Sequence, residues 1–289
     1  MRIKNRFIKN AALVFAAYVV LNSCQKLSKP SLPSDYPKDN VTLPGGSLRF
    51  FVSFDSTSPA AKQINVRFAD SISTYPSFFP DPSTTFVAGV RGTAYQGSTG
   101  TYLHYLTAND FGASTSFTIS LWLNIMLSQK DHNNADGILA ISSKTNFWSN
   151  VVVFADHESS TADSMQLKFV FANGGGNNWD FAGYTGANRW PNMYDGNWHH
   201  VAFTYDAPSK TGTVYRDGVQ FDQKTNETIL FDGNASQLVI GGFQEAVNIV
   251  DTYANNTWMS GFPGAIDQVR LYNVALGASD IQSLYSNKQ

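Results

Sequence analysis

The residues of this chain best suited to chemistry are aromatic rings set among asparagines, glycines and charged side chains. Asn177-Asn178-Trp179-Asp180-Phe181-Ala182-Gly183-Tyr184 runs on to Asn188-Arg189-Trp190-Pro191-Asn192-Met193-Tyr194. Asn146-Phe147-Trp148-Ser149-Asn150 and Asn255-Asn256-Thr257-Trp258 repeat that composition. A Trp or Tyr ring offers a flat apolar face on which the C–H face of a sugar stacks, while Asn, Asp, Arg and Gln answer its hydroxyls. Trp179, Tyr184, Arg189, Trp190, Trp148 and Trp258 are therefore the candidate glycan-binding residues. The same rings could instead cap the ends of a packed fold, since Trp is highly buried on average. Trp122 and Trp198 lie inside strand-like segments and read as core.

Other chemistries find less support. His199 and His200 are neighbours on one strand and would point to opposite faces, so they read as structural, not as ligands of one metal ion. Asp156-His157-Glu158 is an acidic cluster at a strand end and reads as a solvated turn. No G-x-S-x-G run supports a serine nucleophile.

The elements that must position these residues are short strands. LRFFVSF (48–54), FTISLWLNI (117–125), NVVVFAD (150–156), MQLKFVFA (165–172), HHVAFTYD (199–206), GTVYRDGV (212–219), QLVIGGF (237–243) and AIDQVRLYN (265–273) each carry strand composition. Turn clusters separate them, among them Asp136-Gly137, Asn173-Gly174-Gly175-Gly176, Asp195-Gly196 and Asp232-Gly233. Asp217-Gly218 is the clearest hairpin signal, because a type I′ turn needs positive φ at both central residues. Two helical readings remain: ASDIQSLYSNK at the end, with Ile281, Leu284 and Tyr285 on one face, and a turn around Ala60 to Gln63. The pattern predicts an all-β sandwich over residues 46–289, closed by a short C-terminal helix.

The front of the chain carries a targeting signal. Arg2, Lys4, Arg6 and Lys9 precede the apolar run AALVFAAYVVL, which is too short to cross a membrane. Leu21-Asn22-Ser23-Cys24 resembles the bacterial lipobox, which implies a signal peptide over 1–23 and lipidation at Cys24. Cys24 is the one cysteine of the 289 residues, so no internal disulfide can form. The Pro-, Ser- and Lys-rich stretch that follows completes a 24–45 linker. Gln25 is not an acidic retention residue, which points to the outer membrane. Lys26 and Lys29 stand where surface lipoproteins of the Bacteroidetes type often carry acids, so the side faced stays open. Without the signal the charge is 16 basic against 22 acidic residues, a net −6 that disfavours nucleic acid as a partner.

Across residues 48–287 an ordered set of motifs resembles the laminin-G-like, or concanavalin A-like, jelly-roll domains of bacterial surface proteins. Trp198-His199-His200-Val201-Ala202-Phe203-Thr204-Tyr205-Asp206 is similar to the family's "W-H-H-V-A-x-T-Y-D" strand, and Tyr215-Arg216-Asp217-Gly218 to its "Y-x-D-G" hairpin. Phe262-Pro263-Gly264-Ala265-Ile266-Asp267-Gln268-Val269-Arg270-Leu271-Tyr272 resembles its closing strand. The resemblance implies a jelly roll and a structural Ca²⁺ site at Asp55 and Asp267, with carbonyls around Gly89 to Gly92 completing the ligands. Glucanases of this fold use an E-x-D-x-x-E strand. The three glutamates here, Glu158, Glu227 and Glu245, do not begin one, so no catalytic residue is expected and the chain reads as no enzyme. The expected function is membrane-anchored glycan capture, with a protein-binding adhesion module and a remote glycoside hydrolase as the alternatives.

Overall fold

The computed structural model describes residues 45–55, 68–73, 77, 84–157, 162–233 and 237–288, all within one compact unit, Lys38–Gln289. The signal peptide, Cys24, the linker up to residue 44, the turn around Ala60 to Gln63 and Glu158 lie outside the described residues.

In chain order the strands are β1 (Leu48–Val52), β2 (Thr85–Ala88), β3 (Thr93–Gln96), β4 (Leu103–Tyr105), β5 (Phe117–Met126), β6 (Ala135–Ile141), β7 (Val151–Ala155) and β8 (Leu167–Ala172). There follow β9 (Asn177–Asn178), β10 (Asp195–Asp206), β11 (Thr211–Arg216), β12 (Val219–Lys224), β13 (Leu238–Ile240), β14 (Met259–Gly261) and β15 (Ala265–Tyr272). They form two sheets. The first runs β12-β11-β10-β5-β15-β3-β2 with β1 also on β15, and the second β4-β13-β6-β7-β8-β9 with β14 also on β6. Pairing is antiparallel except between β14 and β6. This is the two-layer jelly-roll sandwich that the strand pattern and the family resemblance imply.

Period-2 alternation builds the core. Along β5, Ile119, Leu121, Leu123 and Ile125 enter the main apolar cluster, while Thr118, Ser120 and Trp122 alternate to the other face. Val201, Phe203 and Tyr205 of β10 lie beside them, and Phe169 and Phe171 of β8 face them from the second sheet. Phe171 and Phe203 meet with ring centroids 4.3 Å apart. Burying each such ring stabilises the fold by roughly 1.5–3 kcal/mol.

Both sheets also bury their outer faces. On the first, helix α1 (Ala278–Asn287) lays Ile281 and Leu284 over Ala202 and Tyr215, and Tyr285 stacks on Trp122 at 5.5 Å. The expected hairpin is present, with φ of 51° at Asp217 and 78° at Gly218. A Cβ on Gly218 would lie 2.9 Å from that of Tyr285, so glycine serves both the turn and the helix contact. On the second sheet, Ala140, Val152, Phe154, Val170, Val239 and Phe243 form an outer cluster covered by loops instead of a helix.

Three expectations need correcting. Asp136-Gly137 is not a turn but part of β6, at a register shift where Gly137 leaves room for the backbone of Gly242. Asp195-Gly196 is not a separate turn either, since it opens β10 with another register shift. Trp198 is only half-buried and joins no core cluster: it shares a face of β10 with the buried His200 and Ala202 but lies nearer the strand's start.

Candidate functional site

Three loops that are remote in sequence meet over the outer face of the second sheet. Trp148 stacks on Phe154 of β7 at 5.8 Å and 21° and meets Trp179 edge to face at 4.7 Å. Trp258 closes the group, 5.8 Å from Trp148 and 6.4 Å from Phe147. Trp148 and Phe147 are half-buried, whereas Trp179 and Trp258 keep 41% and 37% of their surface in solvent. The result is an aromatic platform backed by the sheet and open outward.

Hydrogen bonds hold its loops. The fully buried Gln244 donates from Nε2 to the carbonyls of Asn146 and Phe147, at 2.7 and 3.1 Å, and accepts from the Ser143 N–H at 2.9 Å. Asn146 Oδ1 accepts from the Trp148 N–H at 3.0 Å, and its Nδ2 donates to Asn177 Oδ1 at 2.7 Å, tying two of the aromatic loops together. In the third loop, Asp251 accepts from Asn255 and Asn256 at 2.7 and 3.0 Å, which hold its carboxyl below the usual range. Phe147 also lines a cleft of about 290 Å³ with Thr145, Asn146, the glycines 174–176 and Asp232. Asp232 there accepts from Thr145 Oγ1 and Asn150 Nδ2, each at 2.9 Å, and from Ser143 Oγ. Apolar rings and a polar cleft therefore adjoin, which suits a ligand with one apolar and one hydroxylated side.

The long segment 177–194 does not act as one site. Trp190 is wholly buried, packed on Phe169 at 6.0 Å and stacked on Phe221 at 4.3 Å, so it supports the core and touches no ligand. Tyr184 is also largely buried, its hydroxyl donating to Asp222 Oδ2 at 3.2 Å. Tyr184 and Arg189 line a separate cleft of about 590 Å³ whose far wall is β12, with Phe221, Asp222 and Lys224. None of those β12 residues was singled out from the sequence, where Phe221 is one apolar residue in a polar run.

The carboxylates fall into distinct settings. Burial and then the charge of Asp180 raise the Glu227 carboxyl, which accepts from Asn178 Nδ2 at 2.5 Å. Glu245, beside Gln244, is buried, and burial pushes it up to about 7. Burial does the same to Asp136, up to about 7, while Ser260 Oγ donates to it at 2.5 Å. Asp156 forms an ion pair with Lys168 at 2.5 Å and lies 3.0 Å from His157 Nδ1, a local polar cluster at the end of β7.

Asp55 and Asp267 do come together, on the turn between β2 and β3. Asp267 Oδ2 accepts from the Val90 N–H and Asp55 Oδ1 from the Thr93 N–H, both at 2.8 Å. A Cβ on Gly89 would lie 2.5 Å from Asp267 Oδ2, and one on Gly92 would lie 1.9 Å from Asp55 Oδ1. Glycine is thus required at both positions for the turn to enter this cradle. Phe54 before Asp55 and Gln268 after Asp267 adopt positive φ, 56° and 52°, a local strain of the sort held at functional sites. Burial and the charge of Asp55 raise the Asp267 carboxyl to about 7 despite the Val90 and Gln268 N–H groups. Both carboxylates thus converge on the 89–92 turn and accept from the Val90 and Thr93 N–H groups, while the Arg270 charge acts on Asp267 from the same strand. A pair of carboxylates is the donor chemistry a hard cation prefers. Among the described residues no group of three or more acidic, His or Cys side chains could hold a metal ion, so backbone carbonyls would have to complete the ligands.

The adjacent histidines occupy different environments. His199 is clamped between Asp217 at 3.0 Å and Asp195 at 3.1 Å. Burial works to lower its pKa, but the bonds and charges of Asp217 and Asp195 outweigh it and leave it raised. His200 is buried with Nε2 2.9 Å from Ser120 Oγ and Nδ1 without a partner, and burial, then the Arg270 charge, pushes it down to about 4. Ser120 is itself fully buried, so this Ser–His contact is structural.

Comparison with known proteins agrees with this architecture. The family model described as the concanavalin A-like lectin/glucanases superfamily matches residues 96–282, more than half of the chain. No curated protein sequence matches. Among solved structures, the chain is similar to domain 4 of AbnA, a GH43 extracellular arabinanase from Geobacillus stearothermophilus, in complex with arabinotriose. The TM-score is 0.53 at 18% identity, covering 83% of this chain and 98% of that one. It is similar too to the binding domain of botulinum neurotoxin serotype D, with a TM-score of 0.55 at 12% identity, covering 84% of this chain and 52% of that one. Trypanosoma rangeli sialidase gives a TM-score of 0.54 at 16% identity, with 90% of this chain and 36% of that one covered. At these identities the structures share the fold, and with the family match they place this chain in the concanavalin A-like lectin/glucanase superfamily.

Proposed function

We propose that this protein is a lipid-anchored, non-catalytic module that captures a glycan on the platform of Trp148, Trp179 and Trp258. The convergence of three sequence-remote tryptophans, two of them substantially exposed, carries this reading. A soluble domain rarely leaves large apolar rings grouped in solvent without a partner to cover them. The 290 Å³ cleft beside Phe147 supplies amide, hydroxyl and carboxylate groups for sugar hydroxyls. A glycan screen of the purified protein tests the reading. Binding to at least one polysaccharide is expected, weakened about tenfold or more by Trp179→Ala with Trp258→Ala. A folded protein that retains no polysaccharide, or binding indifferent to both substitutions, would overturn it, and retention of a protein ligand instead would favour the adhesion reading.

The anchor belongs to the same proposal. Cleavage before Cys24 and lipidation of its thiol would hold the domain at the outer membrane, where two or more acyl chains anchor stably. Cys24→Ala is expected to move the protein from the membrane to the soluble fraction; persistence in the membrane fraction counts against lipidation.

A bound Ca²⁺ completes the reading. Asp55 and Asp267 would hold it together with carbonyls of the 89–92 turn, and the ion would neutralise two facing carboxylates and fasten the turn to β15. Chelation with EDTA is expected to lower the melting temperature by several degrees, and Asp267→Asn to remove that response. A melting curve unchanged by EDTA rules this ion out.

A further inference from the structure

We propose that the cleft between the 180–191 loop and β12 is a second binding site, which takes a neutral sugar unit independently of the tryptophan platform. It shares only the ligand class with the platform. Its volume of about 590 Å³ falls within the range of small-molecule sites. Phe221 forms its apolar wall, and two rings pack against it. Trp190 stacks on it at 4.3 Å and 26°, and Tyr184 meets it edge to face at 5.6 Å. The complete burial of Trp190 thus has a consequence at the surface, because it braces a half-buried ring that faces the cleft.

The polar lining selects the ligand's charge. Asp180 and Asp222 contribute two carboxylates, and Arg189 and Lys224 two cations. An anionic group would meet both carboxylates and a cationic one both cations. A neutral polyol avoids each repulsion, and every hydroxyl can both donate and accept. Asp222 is already oriented by the Tyr184 hydroxyl at 3.2 Å, with Lys224 Nζ 3.8 Å away. Burial, and then Asp222, keep that tyrosine protonated, so it remains a donor. Two sites on one tethered domain would bind a repeating polymer with greater avidity than either alone.

Calorimetric titration of the full chain with arabinotriose, xylotriose, cellotriose and mannotriose tests this. The platform is first disabled by Trp179→Ala with Trp258→Ala. Ala187 is exposed and lines the cleft, so Ala187→Trp fills the space without disturbing the core, and Asp222→Ala removes one carboxylate from its wall. The platform-disabled chain is expected to bind one of these probes at one to one, and either cleft substitution to weaken that binding about tenfold or more. The cleft assignment fails if the platform-disabled chain binds none of the four at millimolar concentration, or binds one unaffected by both cleft substitutions. If the unsubstituted protein binds where the platform-disabled chain does not, the cleft assignment fails and the platform stands. If disabling the platform changes nothing while Ala187→Trp abolishes binding, the cleft stands and the platform reading fails.

Discussion

The two outer faces of the sandwich are covered in different ways. On the first sheet, helix α1 seals Trp122 beneath Tyr285, with His200 and Ser120 buried alongside. On the second, loops place Trp148 over Phe154 and leave Trp179 and Trp258 part-exposed. A helix with one apolar stripe closes a sheet face, because its side chains lie side by side at regular spacing. Loops held by Asn and Gln side chains bury the sheet residues beneath them but leave rings of their own in solvent, and rings that keep solvent contact can exchange it for a ligand. The same residue type is thus structural on one face and available for binding on the other.

That contrast is open to measurement. The largest expected effect is on the sealed face, where Trp122→Ala should lower unfolding free energy by ~3–5 kcal/mol. Trp258→Ala on the open face should lower it by only about 1 kcal/mol. Denaturant titration of both variants checks this, and similar losses would erase the distinction between the faces.

A smaller effect concerns pH at the hairpin beneath α1. With its pKa raised by Asp217 and Asp195, protonated His199 contributes stability that is complete below about pH 6.5 and is lost as pH rises through the raised value. Both aspartates are held below the usual carboxylate range, His199 and neighbouring N–H groups outweighing burial, so their contribution holds above about pH 3.8 and is lost in stronger acid. The melting-temperature gap between the wild type and His199→Gln should therefore narrow from about pH 5.5 to about pH 9. A gap that stays constant over this range would show that the clamp does not contribute through its charge.

Much of the strand framework was legible in the sequence, for reasons particular to each segment. Phe117 to Ile125 alternates aliphatic or Phe residues with Thr, Ser, Trp and Asn, the period of a strand, although both of its faces end up buried, and Asp217-Gly218 marks the positive-φ pair of a tight hairpin. β6 was not legible. Ala135–Ile141 is buried throughout, so it has no polar face to alternate, and its Asp-Gly pair imitates a turn. β2, β3, β4 and β14 are too short, at three or four residues each, to establish a period. For the candidate site, composition singles out Trp148, Trp179 and Trp258, which meet in one ring cluster, Tyr184 and Arg189, which line the other cleft, and also Trp190, which is wholly buried. Nothing local separates a tryptophan on a platform from one that braces Phe221 from behind.

By itself, the sequence determined the strand periodicity, the hairpin turn, the apolar face of the C-terminal helix, and the residue types from which a glycan site could be made. These are local properties, set by side-chain alternation and backbone sterics within a few residues. Only the tertiary structure decided that three separate loops share one platform, that the 177–194 segment serves two separate surfaces, and that Asp55 meets Asp267 across the turn between β2 and β3. Those outcomes depend on which strands become neighbours in the sheets, and strand order is set by packing over the whole core.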